Sequence, residues 1–122
     1  MQWSRGVARR IAFLLLWMPG LFTPGAAAAA SASRTHVGRI TDTECGADHR
    51  PMIGRGGMGT NTASCTKGCV ARGATYGFVD RKGRLFQLDD QEKPAAFAGR
   101  RVRLLGRIEG DTIYVEKIEP IR

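Results

Sequence analysis

Four side chains in the stretch TECGADHRPMIGRGGMGTNTASCTKGCVARG, residues 43–73, could carry chemistry: Cys45, His49, Cys65 and Cys69. They are all three of the chain's cysteines and one of its two histidines. Cys45 and His49 stand four positions apart, as do Cys65 and Cys69. Three chemistries fit. Three cysteines cannot all pair within one chain, so a disulfide leaves one thiol over. Cys45, His49, Cys65 and Cys69 together offer four soft or borderline ligands, the number that closes a tetrahedral transition-metal site. Zinc is one candidate ion, although thiolate zinc sites suit reducing compartments; Cu(I), favoured by soft sulfur, is the other. Met52 and Met58 could add thioethers, but a methionine in a glycine-rich loop is most simply a loop residue. A thiol redox centre is the third chemistry. It needs one cysteine of lowered pKa, and the N-terminus of a helix carrying Cys65 could lower it. The spacing is not C-x-x-C, and no thioredoxin-like βαβ pattern accompanies it.

The element that must position two of these ligands is a short helix over residues 62–72, with Thr62 or Ser64 as N-cap and Gly73 just past its end. On a helix, Cys65 and Cys69 share one face with Cβ atoms roughly 5–6 Å apart. A disulfide wants about 3.8 Å. That geometry suits two thiolates converging on an ion better than a bond between them. Cys45 is therefore the better disulfide partner for either one. A Cys45–Cys69 bond would close 24 positions of chain and stabilise by on the order of 3 kcal/mol.

The segment before this region sets the compartment. Arg5, Arg9 and Arg10 open the chain with no acid nearby, an apolar run follows over residues 11–18, and Ala30-Ser31-Ala32 ends a tract of small residues. This is the pattern of a secretory signal peptide. The apolar run falls short of the roughly 20 residues needed to span a bilayer. Residues 1–32 are expected to be removed, with Arg9 to Met18 helical and making few contacts with the domain. What remains, 33–122, is one small domain of net charge +5, against +8 for the whole chain. It is expected in the periplasm or secreted, with no stable membrane anchor after cleavage. A domain this small buries only about 60–65% of its unfolded surface, so a cross-link or an ion would add useful stability.

After Gly73 the pattern is strands and turns. Residues 75–79 and 84–88 flank the turn Asp80-Arg-Lys-Gly83 as a hairpin. Residues 91–98 form a short helical or irregular connection with Pro94 near its start, closed by Gly99. In residues 101–108 the apolar Val102, Leu104 and Ile108 alternate with Arg101, Arg103 and Arg107. Residues 112–118 make the last strand, and residues 36–41 the first. The expected fold is mainly β: a five-stranded antiparallel barrel with a helix-bearing insertion, at about 43–73, after the first strand.

The stretch AGRRVRLLGRIEGDTIYVEKIE, residues 98–119, resembles the later strands of OB-fold domains, with V-x-L-x-G, a tight turn and a T-I-x-V strand. Gly106 suits a strongly bent barrel strand. Residues 33–122 as a whole resemble small exported bacterial proteins of unknown function. Their pattern G-x-I-x-D-x-x-C-G-x-x-H, then C-x-x-x-C-V, is met here by Gly38, Ile40, Asp42, Cys45-Gly46, His49, Cys65 and Cys69-Val70. The resemblance implies the fold and export, and no activity.

Other signals are discounted on physical grounds. Gly54-Arg-Gly-Gly-Met-Gly59 has the letters of a dinucleotide fingerprint but follows no strand and opens no helix. Asp42, beside Cys45, could orient a ligand but is most simply a turn cap, and Asp89-Asp90-Gln91-Glu92 is a solvated turn. The arginine stripe Arg101, Arg103, Arg107 reads as a solvated face, with an anionic surface or a protein as its alternative partner. Nucleic acid is not the expected ligand of an exported chain whose aromatics mostly belong to a core. No serine–histidine–acid set or carboxylate pair emerges. The sequence therefore points to a non-enzymatic binding module distinguished by its Cys/His cluster, with a thiol redox protein and a polyanion-binding module as alternatives.

Overall fold

Alternation places Val102 and Leu104 on the inner face of strand β4 (Arg101–Glu109), where both are fully buried, and Arg101 and Arg103 on the outer face. β4 pairs with β5 (Thr112–Pro120) through the tight turn at Gly110, and with β1 (Arg34–Asp42) on its other side. β1 continues to β2 (Tyr76–Asp80), and β2 to β3 (Leu85–Leu88) by the expected hairpin. Contact between β3 and β5 closes the ring in the order β1-β2-β3-β5-β4. This computed structural model describes Gly20 and residues 31–122. Nearly all of the expected signal peptide, including the expected helix over residues 9–18, lies outside the described residues. Among the described residues, no helix is long and apolar enough to cross a membrane.

The sheet is mixed, which corrects the antiparallel expectation. β3 and β5 run parallel, with Gln87 opposite Thr112 and Leu88 opposite Ile113. Tight turns force neighbouring strands antiparallel, but β3 and β5 are separated by a 3-10 helix (Lys93–Phe97) and all of β4. Their direction follows from closure and not from a turn.

Inside the ring lie Ile40, Tyr76, Phe78, Phe86, Leu88, Ala98, Val102, Leu104, Ile113 and Val115. Ile108 and Phe97 are only partly buried. A bulge between Leu105 and Gly106 leaves Glu116 unpaired in the β4–β5 register. The extra residue resets the alternation, so Ile113 and Val115 before it and Ile118 after it all meet the core. At Gly106 a Cβ would run into the Tyr114 carbonyl and the Ile113 side chain, so the strands can approach this closely only without one.

Helix α1 (Thr62–Ala71) sits in the connection between β1 and β2. Its N-cap is Asn61, one residue before the expected position. Asn61 Oδ1 accepts from the Ser64 backbone N–H, and Ser64 Oγ accepts from the Asn61 N–H, a reciprocal capping box. At the other end, Ala74 N donates to the Cys69 carbonyl and Gly73 N to Val70, with Gly73 at φ +110. This Schellman arrangement stops the helix at the expected glycine.

Candidate metal centre

The insertion leaves β1 at Asp42, whose side chain is fully buried. A buried carboxylate must be partnered, and this one is. Its Oδ1 accepts from the backbone N–H of Glu44 (3.1 Å) and Cys45 (2.7 Å), fixing the first turn of the insertion. Its Oδ2 lies 2.8 Å from His49 Nε2. Asp42 thus caps the turn, as expected, and also holds the histidine. Thr66 Oγ1, on α1, lies 3.1 Å from the same ring nitrogen, while Thr41 Oγ1 donates to the Gly46 carbonyl at 2.6 Å. Ile40, Thr41 and Asp42 are buried in succession because one face of β1 meets the ring core and the other meets the insertion.

The same turn aims Cys45 at the helix. Cys65 and Cys69 are fully buried on one face of α1, and the Cys45 sulfur lies 3.9 Å from that of Cys69. That distance is nearly twice a disulfide bond. All three cysteines are free. Of the chemistries the sequence left open, the disulfide is not at bonding distance: the residues converge without bonding.

The possible ligand atoms fall into two sets, each with members within 4.8 Å of one another. One is Cys45, Cys65 and Cys69; the other is Asp42, Cys45 and His49. Cys45 belongs to both. The four residues singled out in the sequence thus meet in one place, with Asp42 added and His49 joined to the sulfurs through Cys45.

Burial, reinforced by the negative charge of Asp42, pushes the Cys69 thiol up to about 12. Burial is likewise the main cause that raises Cys45. Metal-free, these thiols stay protonated at neutral pH. This removes the lowered pKa that a reactive redox or nucleophilic role for Cys45 or Cys69 would need. A thiophilic cation reverses the balance by stabilising thiolates and releasing their protons. Three thiolates, two of them fully buried and the third partly so, can hold such an ion, with Asp42 orienting His49 beside it.

Met52 and Met58 also reach this region. Met58 is 2% exposed and packs with Cys65 and Cys69, while Met52 and Ile53 pack at the margin. The sequence offered no periodicity to flag Met58, since it lies in an irregular glycine-rich turn. Thr41 and Thr66 were likewise not legible as partners of His49. The glycine motif itself forms turns and opens no phosphate cradle onto a strand.

The arginine stripe is partly neutralised from within. Arg107 binds Glu109 at 2.7 Å and stacks over Tyr114 at 4.6 Å, so it is half-buried and not exposed as expected. Arg103 lies opposite Glu119 across β4–β5. Arg101 lies opposite Arg39 of β1, and both line a surface concavity of about 400 Å³ with Arg81 and Asp80.

Residues 67–121 match the model of a family described as "Protein of unknown function (DUF5818)". The match runs from the second half of α1 through β5, taking in Cys69 but not Cys45, His49 or Cys65. No curated protein and no solved structure matches the chain.

Proposed function

We propose that this is an exported, non-enzymatic OB-like binding module whose insertion holds one thiophilic transition-metal ion, zinc or copper, on Cys45, Cys65 and Cys69. The observation that carries the reading is the convergence of three unbonded cysteine sulfurs, two of them fully buried, from segments 20 or more positions apart. Export to the periplasm or medium is supported by the signal-peptide pattern of residues 1–32. The OB-like reading is supported by the ring order β1-β2-β3-β5-β4 with one parallel pair, and by the resemblance of residues 98–119.

The test is alkylation of the reduced protein, counted by mass, with and without added Zn(II) or Cu(I). Protection of all three cysteines by one equivalent of ion is expected. Full alkylation in the presence of both ions contradicts the reading.

A second reading has its own observation. Arg39, Arg81 and Arg101 border one concavity, and none takes part in an ion pair among the described residues. An anionic partner docking there would show binding to a polyanion that weakens steeply with salt. Salt-independent retention, or none, removes it.

A further inference from the structure

Met58 is the feature that a simple three-cysteine site leaves unexplained. It sits in a loop whose neighbours Gly54 to Gly57 and Thr60 are exposed, yet its own side chain is almost fully buried. The backbone is shaped to put it there. Gly57 and Gly59 on either side take φ of +84 and +75, conformations other residues rarely adopt. Opposite them, α1 carries Gly68, where a Cβ would stand 2.9 Å from the Met58 sulfur. Glycine inside a helix costs about 1 kcal/mol relative to alanine, so the close approach is maintained against helix propensity. Arg72, at the end of α1, ties the loop down by donating to the Gly56 carbonyl. The outcome is a thioether sulfur 3.9 Å from the Cys69 sulfur.

A leucine would fill such a niche as a plug; what methionine adds is a soft donor. The sulfurs of Cys45, Cys65, Cys69 and Met58 form one continuous cluster, while Nε2 of His49 is held by Asp42 and Thr66 at its side. Thiolates hold both zinc and monovalent copper; a thioether beside them adds a soft donor that suits Cu(I), whereas zinc completes its shell readily with nitrogen or oxygen.

We propose that Met58 is a ligand of the ion held by the three cysteines, and that this sulfur-only set takes Cu(I) in preference to Zn(II). The proposal rests on the metal-binding reading above and goes beyond it in naming the ion and the fourth donor. The Met58 sulfur is already in contact with the Cys69 sulfur, the thiol whose ion it would share. His49 then acts from outside the ligand set, through the turn that aims Cys45.

The test uses the reduced protein under argon, titrated with Cu(I) against bicinchoninate and separately with Zn(II) against a chromophoric chelator. Wild type is expected to retain one Cu(I). Met58→Leu, which conserves volume, should weaken Cu(I) about tenfold or more and leave Zn(II) within about threefold. A second measurement does not depend on how that variant folds. Selenomethionine-labelled Met52→Leu protein, whose only methionine after residue 32 is Met58, should show a copper neighbour at the selenium absorption edge. Equal Cu(I) affinity in Met58→Leu, or no selenium–copper scattering in the loaded protein, overturns the proposal while leaving a three-cysteine site intact. Tight Zn(II) with no retained Cu(I) also overturns it. Failure of the reduced wild type to bind either ion overturns the metal-binding reading and this proposal together.

Discussion

The ring and the insertion are stabilised by different means. The ring encloses ten buried residues, all aliphatic or aromatic, held by five strands that each pair on both sides. The insertion, longer than any three of those strands together, buries only Met58, Cys65 and Cys69 as its own apolar centre. Its remaining order comes from Asp42, His49 and Thr66, and from the caps of one ten-residue helix. A hydrophobic core of the ring's kind stabilises wherever it is dry. A cluster of sulfurs with so little apolar area around it stabilises chiefly when an ion joins its members. The ring should therefore be indifferent to metal, and the insertion should depend on it.

The largest effect should come from the ring. Leu104→Ala removes a fully buried side chain between β1 and β5 and should cost about 2–5 kcal/mol in a denaturant melt. The loss should be the same with and without metal. A cost that changes with metal would show that the two regions are one cooperative unit.

Metal removal should come next. An ion present at about a hundred times its dissociation constant stabilises by about 2.7 kcal/mol, and the comparison locates that loss in the insertion. Hydrogen exchange after chelation should show residues 43–73 losing protection while the amides of β1, β4 and β5 keep theirs. Equal loss in the strands would break the distinction.

A smaller effect is expected at His49. Replacing it with alanine leaves Asp42 Oδ2 buried without its partner, which costs about 1–3 kcal/mol even in metal-free protein. The substitution therefore cannot by itself separate a metal site from a disulfide, because its effect on Asp42 comes first. It sharpens the comparison differently: a cost equal in loaded and metal-free melts assigns His49 to support, and a larger cost in loaded protein assigns it to coordination. The smallest effect belongs to the ring's surface. Arg103→Ala, exposed on β4, should change stability by well under about 1 kcal/mol, and a loss comparable to Leu104→Ala would overturn the register.

Those regions also differed in how legible they were. The faces of β4 could be read because Arg101, Val102, Arg103 and Leu104 alternate with the pleat itself. Gly73 could be read because only glycine takes its φ at no steric cost. The parallel β3–β5 pair could not be read, since it arises from ring closure between strands distant in sequence. Nor could the bulge that frees Glu116, because nothing local distinguishes Glu116 from its neighbours. In the insertion, the spacing of Cys65 and Cys69 announced a shared helical face, but the convergence of Cys45 depends on a turn built by a buried carboxylate. Asn61 displaced Thr62 and Ser64 as N-cap because Ser64, three residues on, could return the hydrogen bond. Met58 could be named as a thioether but not placed, since its burial is set by the backbone of Gly57 and Gly59 and by the missing side chain of Gly68.

The most direct test of a metal-organised insertion is native mass spectrometry of the protein isolated, without added reductant, from the periplasmic or secreted fraction of the cells that express it. The account predicts a chain mass raised by one transition-metal ion, with all three cysteines resisting alkylation until that ion is removed. An ion-free chain lighter by two hydrogens, with a single cysteine open to alkylation, would mean that Cys45 bonds to a partner on α1, and would contradict it.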